Sequence, residues 1–482
     1  MRQMIYLLMI LLPDCAQAWA TSGESNNPFA RRITPFAEFG ASVHSGDHTP
    51  LWLVSNRHGL SSLRNYTYLR GGAFYRDTLR SWQWRAGVDL AATTGFTSTF
   101  VVQQAYLDLQ YRRLELSVGS KEYDSPLLNQ LLSSGGLTWS GNARPIPQVR
   151  IETKGYVQVL RRLALKAELS YGWLTDNTYQ RKQVGTGFGY TKSIKYHHKA
   201  MFARIGIPKG IWQLDIGMSM DVQFGGYLLD PENGRFMDLG NTLDDYFKVL
   251  IPAAGGKDKQ PGEQAYYQGN YMGSEHLRLT YRQPRYQLSL YVENYYDDLS
   301  GMGKRNGLDG LWGIEYRAHQ PQLLSGVVLE YYQTTNQSGP LHGVDGTSVA
   351  KTGGADDYYN NDFYPGWVHW GMAMASPLNA SPAYNSNGDM TFRYNRLKAL
   401  HLGVTGHINL AWKYVAKISF NKTYGTPFRP IPHILQNLST FASIYYTPTP
   451  WSGWTFSLSA AFDVGKIYGR NAGGLMNIRK TF

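Results

Sequence analysis

The stretch VRIETKGYVQVLRRLALKAELSYGWL, residues 149–174, restricts the fold more than any other part of the chain. Val149, Ile151, Thr153, Gly155, Val157 and Val159 fall on one face of an extended backbone, and Arg150, Glu152, Lys154, Tyr156 and Gln158 on the other, which is the period of a strand. After an Arg161-Arg162 turn the pattern resumes, with Leu163, Leu165, Ala167, Leu169, Tyr171 and Trp173 opposite Lys166, Glu168 and Ser170. Each segment has about the ~9–11 residues that a tilted strand needs to cross a bilayer, and each carries both signs of charge on its second face. An apolar outside and a charged inside describe a hairpin of a transmembrane barrel.

The rest of the chain repeats the pattern. Strands fit at 33–45, 67–76, 81–94, 99–112, 114–121, 195–207, 211–225, 274–282, 286–297, 309–318, 323–334, 396–408, 412–424, 438–447, 454–464 and 474–482, about eighteen in all. The connections alternate between tight turns, such as Arg112-Arg113 and Arg161-Arg162, and longer loops, three of which run 122–148, 226–273 and 335–395. Short periplasmic turns and long extracellular loops are the outer-membrane arrangement. The expected fold is therefore all-β, an antiparallel outer-membrane β-barrel. The terminal Phe482 agrees with insertion by the outer-membrane barrel assembly machinery.

Residues 1–20, MRQMIYLLMILLPDCAQAWA, have a basic start, an apolar run and small residues near Ala18 and Ala20, and read as a cleaved secretory signal. Residues 21–32 read as a linker, and 33–482 as the barrel, with loops available to fold in as a plug. Cys15 is the only cysteine and lies in the signal, so the mature chain is expected to carry no disulfide and no Cys-based metal or redox chemistry.

The net charge of +12 admits nucleic acid, anionic lipid or an acidic polysaccharide as partner. Export removes nucleic acid from that set. The loops 122–148, 226–273 and 336–389 carry −1, −3 and −4, so the positive charge belongs to the turns and the inward face. There Arg150, Glu152, Lys154, Lys166 and Glu168 would form ion-pair ladders that stiffen the wall, or guide an anion. The basic turns fit anionic lipid headgroups, and outer-membrane lipid and lipopolysaccharide are the expected surroundings of the barrel.

One loop contains ADDYYNNDFYPGWVHWG. Tyr358, Tyr359, Trp367 and Trp370 offer flat apolar faces, while Asn360, Asp362 and His369 offer hydrogen bonds, the pairing that sugar rings require. The same residues equally suit a loop that folds on itself and buries its own aromatics. GGLTWSGNARPIPQVR places Trp139, Asn142 and Arg144 beside a stiff Pro-Ile-Pro, which serves structure or binding. His44, Asp47 and His48 match no zinc spacing and read as surface loop. Ser55 and His58 are adjacent in sequence, which does not make them a nucleophile and its base. No G-x-S-x-G or phosphate loop is present, and nothing nominates a catalytic residue, a metal site or a cofactor.

TPLWLVSNRHGLSSL, GGLTWSGNARPIPQVR, YHHKAMFARIGIP, QFGGYLLDPENGRF, YYQGNYMGSEHLRLTY, NYYDDLSGMGKRNGLDGLWGIEY, VLEYYQTTNQSGPLHG and DDYYNNDFYPGWVHWGM closely resemble the Wzi-type capsule assembly outer-membrane proteins, in the branch with short N-termini. The resemblance implies an eighteen-stranded barrel that binds surface or capsular polysaccharide in a lectin-like way and holds the capsule at the cell, without enzymatic chemistry. The enterobacterial form is associated with an N-terminal helical bundle that closes the periplasmic end, whereas here about a dozen residues precede the first strand. A plug would come from Leu51–Leu63, able to form a short helix, or from loops folding inward. Because the long loops are acidic, glycan binding is expected to rest on stacking, hydrogen bonds and bridging divalent cations. The alternative is a substrate-specific porin, and a third reading, a barrel hydrolase, needs Ser55 and His58 to act together.

Overall fold

The computed structural model describes residues 32–482, except 209, 231, 252–268, 297–301, 341, 344–351 and 354. The proposed signal and all but the last residue of the linker lie outside the described residues. In chain order the barrel strands are β1 Ile33–Ser45, β2 Tyr66–Leu79, β3 Trp82–Thr94, β4 Phe100–Tyr111, β5 Leu114–Ser120 and β6 Pro147–Thr153. They continue with β7 Leu163–Trp173, β8 Lys195–Ile205, β9 Trp212–Phe224, β10 Asn270–Arg282, β11 Tyr286–Tyr296 and β12 Gly310–Ala318. The last six are β13 Gly326–Gln333, β14 Leu397–His407, β15 Trp412–Gly425, β16 Pro430–Tyr446, β17 Trp454–Gly465 and β18 Arg470–Thr481. Each pairs antiparallel with its neighbours, and β1 pairs with both β2 and β18, so the eighteen strands close into a barrel. Closure removes the unpaired edges that hydrocarbon does not tolerate.

The alternation read in the sequence is the wall's inside–outside pattern. On β6, Val149 and Ile151 are exposed on the outer surface while Arg150 is buried in the lumen. The strand is not continuous to residue 159, however. It stops at Thr153, Gly155 turns at φ +70°, and a short strand, Val157–Leu160, resumes on β7 with its register shifted. A left-handed glycine breaks the ladder where period alone reads straight through.

Outward-facing rings flank the short turns. Trp82 lies 4.6 Å from Tyr111, Trp212 4.8 Å from Tyr281 and Trp412 4.5 Å from Tyr446. Amphipathic rings concentrate at the membrane–water boundary, so these pairs mark the periplasmic interface.

The apolar core lies inside the barrel. Helix α1, Leu51–Val54, enters the lumen with all four side chains buried. Loop 121–146 and residues 355–396 of the β13–β14 loop fold in beside it, and Leu51, Trp52, Leu137 and Trp367 pack with Tyr196, Tyr291, Leu311 and Tyr332 of the wall. Two further helices, α2 (Asn177–Gln183) and α3 (Leu243–Leu250), lie in the long loops. Wall glycines admit the plug backbone: a Cβ at Gly403 of β14 would sit 2.5 Å from the Leu132 carbonyl oxygen.

Candidate functional site

The lumen wall carries two kinds of inward carboxylate. On β2 to β9 they pair with cations. Arg70 meets Asp89 through Nε at 2.8 Å, and Lys121 meets Asp108 at 2.7 Å. Arg150 bonds Glu152 at 2.8 Å and also Glu168, which Lys166 contacts in turn, while Lys154 reaches Glu115 at 3.3 Å. The five lumen residues singled out in the sequence therefore form one continuous ladder.

On β11, β13 and β17 the carboxylates instead hold the plug, and Glu315 of β12 does both, pairing with Arg278 and Arg317 while it also binds the plug. Glu330 accepts from the Ser134 amide at 2.8 Å and from the Ser133 and Ser134 hydroxyls at 2.6 Å. Glu293 accepts from the Leu137 amide at 3.0 Å, Glu315 from Asn129 Nδ2 at 2.8 Å, and Asp463 from the Leu51 amide at 2.9 Å. Carboxylates that satisfy backbone donors carried into a dry interior remove the main cost of burying a loop. Composition alone reads these acids as further rungs of the ladder. The available signal was local: Glu293, Glu315 and Glu330 share the inward face of β11 to β13 with only Arg317.

The aromatic loop residues separate into two groups. Trp367 is 0 % exposed, and its indole Nε1 donates to the Thr138 carbonyl at 2.8 Å. Tyr359 is buried and donates to the Leu137 carbonyl at 2.9 Å, and Tyr358 packs on Tyr295 with ring centroids 3.8 Å apart. Asn142 is buried and donates to the Ala373 carbonyl at 3.0 Å. His369 is buried and neutral: burial lowers its pKa, its Nδ1–H points at the Arg144 carbonyl at 2.9 Å, and its Nε2 accepts from the Thr175 amide at 3.1 Å. A ring or amide enclosed in this way has no face left for a sugar, so these residues build the plug.

Trp370 is different. Val368–His369 and Met372–Ala373 form a tiny hairpin whose two central residues, Trp370 and Gly371, both have positive φ, +56° and +75°. Two-residue hairpins require that backbone, which Asn and Gly supply cheaply and a bulky side chain only at a cost of roughly 1–2 kcal/mol. The indole at this tip is partly exposed and lies under the Arg144 guanidinium, 4.0 Å from the ring centroid, with Tyr179 of α2 at 5.9 Å. Its Nε1 donates to Thr175 Oγ1 at 3.1 Å. Arg144 in turn donates to the hydroxyls of Ser98 at 3.0 Å and Thr97 at 3.5 Å. No carboxylate forms an ion pair with Arg144 among the described residues. Burial pulls its pKa down to about 10, so it stays charged at neutral pH. Three long loops and the short β3–β4 connection thus meet around one cation and one ring. Asp362 is exposed and Asn360 half-buried, the latter tied to the Phe392 backbone by its own amide.

Trp139 leads elsewhere. It packs on Tyr196 at 5.7 Å and lines a cavity of about 290 Å³ between the plug and the wall, together with Tyr123, Arg150, Lys166, Glu168 and His198. The remaining sequence candidates do not assemble. Ser55 Oγ is buried without a hydrogen-bond partner among the described residues, and the His58 ring faces Asp124 at 3.4 Å, so the two do not form a nucleophile and base. Among the described residues no group of three His, Cys, Asp or Glu could hold a metal ion, and the His48 ring packs on Tyr384.

The model of the Wzi capsule assembly protein family matches residues 54–381, which contain Arg144 and Trp370. This chain belongs to that family. No curated protein sequence matches it significantly. Among solved structures, the Escherichia coli outer-membrane protein Wzi, described as a carbohydrate-binding β-barrel involved in group 1 capsule assembly, superposes with a TM-score of 0.58 at 12% identity, covering 94% of this chain and 85% of that one. At that identity the likeness establishes a shared fold. Acinetobacter baumannii OccAB4 aligns with a TM-score of 0.48 at 10% identity, covering 94% and 98%, and Pseudomonas aeruginosa OccD3 with 0.47 at 10%, covering 94% and 91%. The Wzi family member described here is an outer-membrane β-barrel.

Proposed function

We propose that this barrel is a non-enzymatic outer-membrane protein that binds surface or capsular polysaccharide and helps hold the capsule at the cell. The observation that carries the reading is the Arg144–Trp370 pair, a cation without an ion-paired carboxylate among the described residues, over a ring held at a strained hairpin tip whose Trp370 amide donates to Asp176 at 3.0 Å, on the long-loop side. Backbone strain of this kind persists where the surroundings enforce it and concentrates at functional positions. The indole offers a stacking face and Arg144 a fork for a uronate or other anionic sugar group. Asp362 and Asn360 stand as additional polar contacts.

The family match supports the capsule role. The filled lumen weighs against the porin alternative, because side chains occupy the space where a porin holds water. The separated Ser55 and His58 leave the hydrolase reading without its machinery. In this reading residues 1–20 are removed on export, the barrel assembly machinery inserts the chain, the basic periplasmic turns meet anionic lipid headgroups, and lipopolysaccharide surrounds the barrel on its outer side.

The test is binding of purified, lipid-reconstituted barrel to acidic and neutral glycans on an array, with and without chelator, beside a deletion strain. Retention of glycan by the wild type, and release of polymer into the medium by the deletion strain, support the proposal. A deletion strain that keeps its polymer attached refutes it.

A further inference from the structure

Helix α3 lies in the wrong place for an ordinary loop helix. It packs on the outside of the barrel. On β9 the lumen side chains are Gln213, Asp215, Gly217, Ser219, Asp221 and Gln223, so Val222 and Phe224 point outward, yet both are fully buried. What covers them is α3: Val222 and Phe224 cluster with Val249 and Tyr246 of the helix and with the outward Tyr171 and Tyr271 of β7 and β10. Two polar devices fix the helix there. Thr242 and Asp245 form a capping box at its start, with the Thr242 amide 2.7 Å from Asp245 Oδ2. The outward Lys199 of β8 donates to the Val249 and Leu250 carbonyls at 3.1 and 2.6 Å, satisfying the helix C-terminus with a cation.

The opposite face of the helix is apolar and bare. Leu243, Phe247 and Ile251 recur every four residues and so line one side, at 79%, 67% and 73% exposure. At 100° per residue this stripe points away from Asp245 and Val249, the buried side, and hence away from the wall. Its height follows from the strand. The outward Trp212 of β9 marks the periplasmic ring belt, and the ~10 residues that a tilted strand needs to cross the apolar band end near Val222. The exposed stripe therefore continues the lipid-facing surface of Met218 and Leu277 at its outer rim.

We propose that α3 is an interfacial helix of the outer leaflet, with Leu243, Phe247 and Ile251 seated in the lipid acyl–headgroup boundary. It lies on the membrane rather than spanning it. Its loop is thereby anchored to lipid at one side of the barrel, beside the long loops that carry the glycan candidate.

The experiment uses the full chain in a Cys15→Ser background, with a nitroxide attached singly at Leu243→Cys, Phe247→Cys or Ile251→Cys and the barrel reconstituted in phosphatidylcholine–phosphatidylglycerol vesicles. Met218→Cys serves as the lipid reference and Asp362→Cys as the water reference. The expected result is oxygen collision several-fold above that of a polar nickel chelate at all three helix positions, matching Met218. Nickel-chelate accessibility equal to that at Asp362 overturns the proposal by placing the stripe in water. Protection from both reagents together with spin–spin coupling also overturns it, by showing that a second copy covers the stripe.

Discussion

Glu330 on the β13 wall holds Ser134 of the plug twice, through its amide at 2.8 Å and its hydroxyl at 2.6 Å. The same carboxylate also accepts from Tyr291 at 2.7 Å, so wall and plug share one buried acceptor. With Glu293 on Leu137 and Asp463 on Leu51, it makes the plug a part of the barrel's own hydrogen-bond network.

Replacing Glu330 and Glu293 with Ala should loosen that plug. Each buried donor left without an acceptor costs roughly 1–3 kcal/mol. The wild type should be silent in planar bilayers, and the double variant should show intermittent conductance and unfold at lower denaturant. Steady open conductance in the wild type would mean that the plug does not occlude the pore.

The barrel was legible because period-2 patterning with a charged second face has few other solutions, and because tight turns and long loops alternate. The misread boundaries have specific causes. β16 begins at Pro430 rather than at Leu438, since its first residues pair with β15 and not with β17, and an unpaired edge accepts Pro430 and Pro432. The site was harder to read. Trp367 and Trp370 are three residues apart in one motif, and composition treats them alike. Only the intervening hairpin turn, invisible in a sequence with Trp-Gly where Asn-Gly would signal it, puts one ring in the core and the other at the tip. The role of Glu293, Glu315 and Glu330 depends on loops folding inward, which strand patterning does not encode.

The two tryptophans should therefore respond oppositely. Trp370→Ala, or Arg144→Ala, should weaken glycan binding about tenfold, the loss of roughly 1.4 kcal/mol, with barrel stability little changed. Trp367→Ala should cost ~3–5 kcal/mol of stability through the cavity it leaves. Glycan affinity and urea unfolding measured on the same preparations separate the cases, and unchanged affinity in both Trp370→Ala and Arg144→Ala removes the pair from the binding site.

The ladder around Arg150 makes a sharper claim about the wall. Arg150→Ala leaves Glu152 and Glu168 in the lumen without their shared cation, and breaking a buried pair from one side typically costs ~3–5 kcal/mol. Refolding into detergent micelles should show that loss, with Arg150→Lys recovering part of it. A variant as stable as the wild type would demote the ladder from stiffener to bystander.

A pH dependence follows from His58 in the first long loop. Burial alone would lower its pKa, but the Asp124 carboxylate 3.4 Å away and the charge of Glu122 raise it above the ordinary value of 6.5. A raised pKa in the folded state means that the protonated form is the stabilised one, so this contact contributes fully below about pH 6.5 and is lost as pH rises through the folded value. The His58 amide also donates to the Gly141 carbonyl at 2.6 Å, which ties the helix-bearing loop to the one that carries Arg144. Thermal unfolding of wild type and His58→Gln at pH 5.5, 7 and 8.5 should show a stability gap that narrows with rising pH. A gap that stays constant across that range would assign His58 a packing role alone.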